Sequence, residues 1–278
     1  LHRHTDVAFG EDASLIRLGQ GPTVMALARD AALTLLHQAG IRRIAARLRE
    51  RGVTPVVEAA FLNYSRPTLA ETVEKVAAEG VTTITIQPYF LIAGVYVQND
   101  LRALVNEVNP LFPTITFQLA PVLGDHPALT NLAQRRVEAA LEDSNTSVAP
   151  SLLLMAHGTP LPAANAPLYT IADTLVGNLG LAGSCVGYLD CNTPTIPNAI
   201  NQLVASGSQH IIALPYFLHL GRHVAEDLPH LISEAQAKYP DVAIHLAHHL
   251  DYDLSLVDAV QGLLPAAKPL VEAVALPA

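Results

Sequence analysis

Ser151–Ala156 reads as a strand: it is apolar from Leu152 on and stops at His157-Gly158, the pattern of a short strand covered on both faces. A helical stretch at about Ala166–Gly180 follows, then a strand at Cys185–Leu189 and a helix at Ile196–Ser206 ended by Gly207. His210–Leu214 reads as a third strand closed by Pro215, Val224–Tyr239 as a long helix, and Val242–Leu246 as a fourth strand. A last helix falls near Ser255–Leu264. The first half has the same order: a strand at Ser14–Leu18, a helical region to about Arg51, Val56–Leu62, Leu69–Glu79, Thr82–Ile86, Leu101–Asn106, Thr114–Leu119 and Pro127–Glu142. Such alternation predicts an α/β fold with parallel sheets covered by helices.

The two halves share more than their order. Pro88-Tyr89-Phe90-Leu91 recurs as Pro215-Tyr216-Phe217-Leu218, an offset of 127. The same offset pairs Leu62 with Leu189, Pro67 with Pro194, Thr68 with Thr195, Gly80 with Gly207, Gly94 with Gly221 and Asp100 with Asp227. The opening strands align at an offset of 137, so the first copy holds ten extra residues in its first helical region. An internal repeat of this length predicts two tandem, pseudo-symmetric parallel-sheet domains, 1–145 and 146–278, with a cleft between them. The polar stretch Asp143–Pro150 is the natural linker.

Three aligned positions differ in one direction. His157 stands where the first copy has Gln20, Asp190 where it has Asn63, and His223 where it has Tyr96. Imidazoles and a carboxylate bind metal ions or move protons near neutral pH, which amides and a phenol mostly do not. Each of the three follows or ends a strand, and in open parallel sheets ligands bind beyond the carboxyl ends of the strands. Taken singly, each has an ordinary reading: a hydrogen-bonded loop histidine, or an Asp that starts a helix with Asn192 and Thr193. Taken together, and against their counterparts, they read as one site in the second half. Asp227, matched by Asp100, reads as structural.

Composition narrows the classes. Half the residues are apolar and 15% are charged, enough for a sizeable core. The net charge of −9 argues against a general hold on nucleic acid. From Ser151 onward three basic residues face ten acidic ones, so the second half carries most of that charge. No apolar run reaches the ~18 residues that span a bilayer; the longest candidate, His210–Leu220, is broken by Pro215. With no secretory signal at the start, a cytoplasmic protein is expected. Two cysteines, Cys185 and Cys191, are too few for a four-thiolate site and read as reduced thiols, the alternative being Cys191 as a soft accessory ligand beside Asp190. Neither half carries a G-x-G-x-x-G or P-loop after its first strand, which disfavours a nucleotide-binding protein.

The motifs Leu152-Leu153-Leu154-Met155-Ala156-His157-Gly158-Thr159, Tyr188-Leu189-Asp190 with Pro194, and Leu214-Pro215-Tyr216-Phe217-Leu218 running into Gly221-Arg222-His223-Val224-Ala225-Glu226-Asp227 resemble the sirohydrochlorin chelatases. These are the cobalt and iron chelatases of cobalamin and sirohaem synthesis, more distantly related to ferrochelatases. The resemblance implies a chelatase-like fold, a lyase inserting Co2+ or Fe2+, or else Ni2+, into a tetrapyrrole, and no organic cofactor. It places the family's two essential histidines on His157 and His223, and its acidic ligand on Asp190, where Glu is more usual. Metal delivery and proton abstraction then fall to the two histidines, with His219, Glu226 and His248 as accessory groups. Thr159, Phe217, Arg222, Tyr89 and Tyr96 are candidates to line a slot for the flat macrocycle, although the Pro-Tyr-Phe-Leu segments also suit core strand ends. A carrier that keeps the ligands without turnover is the alternative. Two fused halves mimic a dimer, so a monomer is expected, a homo-oligomer being the other arrangement.

Overall fold

Leu152, Leu153, Leu154 and Met155 have no exposed surface, so the strand predicted to be covered on both faces is covered on both. In the computed structural model, which describes residues 39–62, 65–144 and 148–269, they form the centre of a parallel sheet. In chain order the elements are α1 (residues 39–50), α2 (Leu69–Ala77), β1 (Thr83–Ile86), α3 (Leu101–Val108), β2 (Thr116–Leu119) and α4 (Pro127–Ser144). They continue with β3 (Ser151–Ala156), α5 (Ala166–Leu179), β4 (Gly183–Tyr188), α6 (Ile196–Ala205), β5 (His210–Pro215), α7 (Leu228–Lys238), β6 (Ala243–Leu246), α8 (Leu254–Leu263) and β7 (Lys268–Pro269). The predicted strand Ser14–Leu18 and the aligned residues Gln20 and Asn63 lie outside the described residues.

The second sheet has the order β4-β3-β5-β6, all parallel. Alternate residues serve opposite faces. Leu152, Leu154, Ile212 and Leu214 meet α4, α5 and α8, whereas Leu153, Met155, Ile211 and Ala213 meet α6 and α7. Each such leucine, isoleucine or methionine contributes about 1.5–3 kcal/mol on leaving water. The first sheet is smaller: β1 lies parallel to β2, and β7 pairs antiparallel with the other edge of β2. Its core of Leu69, Val73, Leu101, Val105 and Phe117 is built by α2 and α3. The predicted strand Val56–Leu62 shows only one bridge, Phe61 to Thr68. Its counterpart β4 draws its whole ladder from β3, and the residues aligned with β3 are Ser14–Leu18.

The elements of the two halves interleave. Helix α4 packs its buried Leu129, Leu132, Ala133 and Val137 into the core of the second sheet. Helix α8 packs against α4 and reaches α1, where Arg51 Nη1 meets Asp258 Oδ1 at 2.6 Å. The chain then returns to the first sheet as β7, an element that no periodicity predicts in two residues. No described helix is long and apolar enough to cross a membrane.

The same local devices recur 127 residues apart. Thr68 caps α2 with a capping box through Glu71, and Thr195 caps α6 by accepting from Asn198 N. Residues 96–100 and 223–227 both form a widened turn, closed by Leu101 N donating to Tyr96 O and by Leu228 N donating to His223 O. Such i→i+5 turns are rare and concentrate at functional sites. The long helix predicted at Val224–Tyr239 is therefore this turn followed by α7.

Candidate active site

The strand ladder carries the two candidate histidines to one rim. Beyond β3 and β4 the pairing continues for two more bonds: Leu189 N donates to Ala156 O and Asp190 N to His157 O, each at 2.9 Å. On the other side Tyr216 N donates to Met155 O at 2.8 Å, which holds the segment leading to His223 against the same strand. Gly158 turns the chain at φ +93°, and a Cβ there would overlap the Asp190 carbonyl oxygen. Only glycine fits so close a backbone approach. Asn192 latches the loop: its Oδ1 accepts from Thr159 N at 2.7 Å and from Asn165 Nδ2 at 3.0 Å.

His157 and His223 face each other, ring centroids 5.2 Å apart in an edge-on arrangement. His157 is exposed and His223 partly so. His223 Nδ1 lies 2.6 Å from Asp227 Oδ2, and Asp227 Oδ1 lies 3.5 Å from Arg222 Nη2. Asp227 thus touches a candidate site residue, while its match to Asp100 reads as structural. The signal that finds it is the His-x-x-x-Asp spacing, which puts two side chains on one helical face.

The remaining candidates divide. Asp190 is exposed, and its Oδ1 accepts from Cys191 N at 2.7 Å, so the carboxylate folds back on its own turn. The Cys191 thiol is raised by desolvation and by the Asp190 charge, which disfavours a thiolate ligand. Arg222 pairs with Glu226 at 3.6 Å as well as with Asp227, so its charge is shared with carboxylates of its own turn. His219 reaches across to the first half, 5.7 Å from the Tyr89 ring and beside Gly40. His248 turns onto its neighbour: its Nδ1 lies 2.8 Å from His249 O and the two rings stack. Among the described residues no three His, Cys, Asp or Glu side chains converge to hold a metal ion.

Two large apolar side chains, one three residues before His223 and one at its aligned position, are exposed. Leu220 and Tyr96 are 44% and 51% exposed, and Tyr96 stacks on Phe90 with centroids 6.4 Å apart. Phe217 instead packs against the core formed with α6 and α7. The halves touch where a Cβ on Gly94 would lie 3.1 Å from Thr159 Oγ1, and Thr159 is buried there.

Known proteins resemble this chain. It is 20% identical over 198 residues to the sirohydrochlorin cobaltochelatase of Priestia megaterium, covering 71% of this chain and 64% of that protein. To the sirohydrochlorin ferrochelatase of the same organism it is 23% identical over 215 residues, covering 75% and 80%. The chain therefore spans under two thirds of the first relative and four fifths of the second. Among solved structures, SirB from Bacillus subtilis with Fe3+ superposes with a TM-score of 0.72 at 17% identity, covering 84% of this chain and 88% of that one, a likeness of fold. The CbiX family model matches twice, at residues 36–140 and 151–266, and the chain belongs to that family.

Proposed function

We propose that this protein is a sirohydrochlorin chelatase, inserting Co2+ or Fe2+, with Ni2+ a further candidate, at one site in the second half. The observation that carries this reading is the facing pair His157 and His223, ring centroids 5.2 Å apart, beyond the carboxyl ends of β3 and β5. Insertion requires the metal ion to shed water, two pyrrole N–H protons to leave and the macrocycle to bend. Two imidazoles hold such an ion while leaving positions open for exchange, and an imidazole can take a pyrrole proton. The curated cobalt and iron chelatases that the chain resembles support the substrate class.

The open geometry favours transfer over storage. A carrier gains from a closed set of ligands, and among the described residues no third donor completes one. Asp190 keeps Oδ2 for a metal ion in this reading while Oδ1 accepts from Cys191 N. The first half is a duplicated copy that lost its ligand positions and serves as the facing wall, with Tyr89, Tyr96 and Gly94. The site spans residues of both 1–145 and 146–278, so one chain supplies both walls and works as a monomer. Free Cys185 and Cys191 suit a reducing cytoplasm. No step calls for an organic cofactor.

The test is anaerobic metallation of sirohydrochlorin followed by absorbance, with cobalt, iron and nickel in parallel. Wild type accelerates a metal-dependent spectral change, and His157→Ala loses about 10²-fold or more of that rate. Absence of acceleration with all three metals overturns the reading. Metal binding with a rate indifferent to His157→Ala points to the carrier.

A further inference from the structure

We propose that Asp227 is a positioning residue that sets the tautomer of His223, leaving the Nε2 lone pair for the incoming metal ion. The inference rests on His223 handling the metal. A carboxylate oxygen only accepts, so the 2.6 Å contact between Asp227 Oδ2 and His223 Nδ1 places the proton on Nδ1. In the neutral ring the other nitrogen, Nε2, is then the one with a lone pair. A carboxylate on the non-ligating nitrogen also fixes the ring plane of a metal-binding histidine. His157 is held differently, with Nδ1 3.4 Å from the carbonyl of its neighbour Gly158. The pair is therefore asymmetric: His223 is the fixed imidazole and His157 the one free to turn.

Arg222 makes the arrangement directional. Its guanidinium, a donor only, faces Asp227 Oδ1 at 3.5 Å, so the two carboxylate oxygens are divided between Arg222 and His223. With asparagine at 227 the amide has one oxygen to give. The Arg222 charge draws that oxygen, which turns the NH2 toward His223 Nδ1. The imidazole must then accept at Nδ1 and carry its proton on Nε2, where it blocks the metal. Asparagine, the closest isostere, is consequently at least as damaging as alanine. A role limited to helix packing gives the opposite order.

The experiment uses the full metal-free chain labelled with 15N-histidine, read by long-range 1H–15N correlation near neutral pH. The His223 signal is assigned among the twelve histidines by its loss in His223→Gln. Wild type is expected to show His223 protonated at Nδ1, Asp227→Asn at Nε2, and Asp227→Ala a mixture. Affinity for Co2+ alone, measured by competition with a chromophoric chelator, falls about 10–100-fold in Asp227→Asn, and no less than in Asp227→Ala. A wild-type His223 protonated at Nε2 overturns the proposal, as does an Asp227→Asn protein that keeps the Nδ1 proton or wild-type Co2+ affinity. Should Asp227→Asn fail to fold, the wild-type tautomer and its change in Asp227→Ala decide. Neither readout involves a tetrapyrrole, so a wild type that fails to metallate sirohydrochlorin overturns the chelatase reading alone.

Discussion

His210, at the amino end of β5, is 3% exposed, and among the described residues neither of its ring nitrogens meets a hydrogen-bond partner. Its nearest ring is His245 on β6, 4.8 Å away and edge-on. Desolvation, and secondarily His245, lower its pKa below the usual 6.5; His249 is lowered by the same leading cause. The unfolded chain therefore takes up these protons first as pH falls. Stability is full above about pH 6.5 and declines below it, because the unfolded state binds more protons there. Thermal unfolding between about pH 7.5 and 5 should show a falling melting temperature, and His210→Leu should flatten the curve. An unchanged slope in that variant would remove His210 from the account. At this scale the sequence marks His157 and His223 as candidates, because strand ends and a directed difference between copies single them out. Asp227 stays hidden because a residue kept in both copies reads as structural, while its partner at i−4 changes from Tyr96 to His223. The ordinary alternative for Asp190, a helix start with Asn192 and Thr193, is not what forms: Asn192 latches Thr159 and Asn165, and Thr195 caps the helix.

Strand β4 and helix α6 approach unusually closely at Gly187. A Cβ there would sit 3.0 Å from Ile196 Cα and 3.1 Å from Ala199 Cβ. Backbone on one side and the sheet on the other leave little room to yield. Gly187→Val should destabilise by about 1–3 kcal/mol, the usual range for overpacking. Chemical denaturation would register it as a lower midpoint; an unchanged midpoint would mean that α6 moves freely on the sheet. The elements of the second half are legible because apolar runs and Gly or Pro punctuation mark both ends. In the first half β1 alternates Thr83, Ile84, Thr85, Ile86, and the one-sided core behind it accounts for that pattern. The widened turns at 96–100 and 223–227 are invisible to periodicity, since an i→i+5 bond alters a helix without altering its composition.

Over the whole molecule, the halves come close at the rim where Gly94 meets Thr159. Gly94→Val places a branched side chain where a single Cβ already lies at 3.1 Å. It should push the two rims apart without touching either histidine. Sirohydrochlorin KM should rise on the order of tenfold, equivalent to about 1.4 kcal/mol, while Co2+ affinity stays at the wild-type value. Loss of both together would place Gly94 in the support of the histidines rather than in the slot. Sequence pattern yields the elements and their order but not their partners. The crossing of α4 to the second sheet and of α8 toward α1 is set by which apolar faces meet in space.

That crossing bears on inheritance. The first copy supplies α4 to the core beneath His157 and His223, and gives α8 and β7 a place to dock. A lineage with this exchange can vary the rim side chains of either copy, but deleting the first would strip the second of a helix. By the path of the chain, neither half is dispensable to the other.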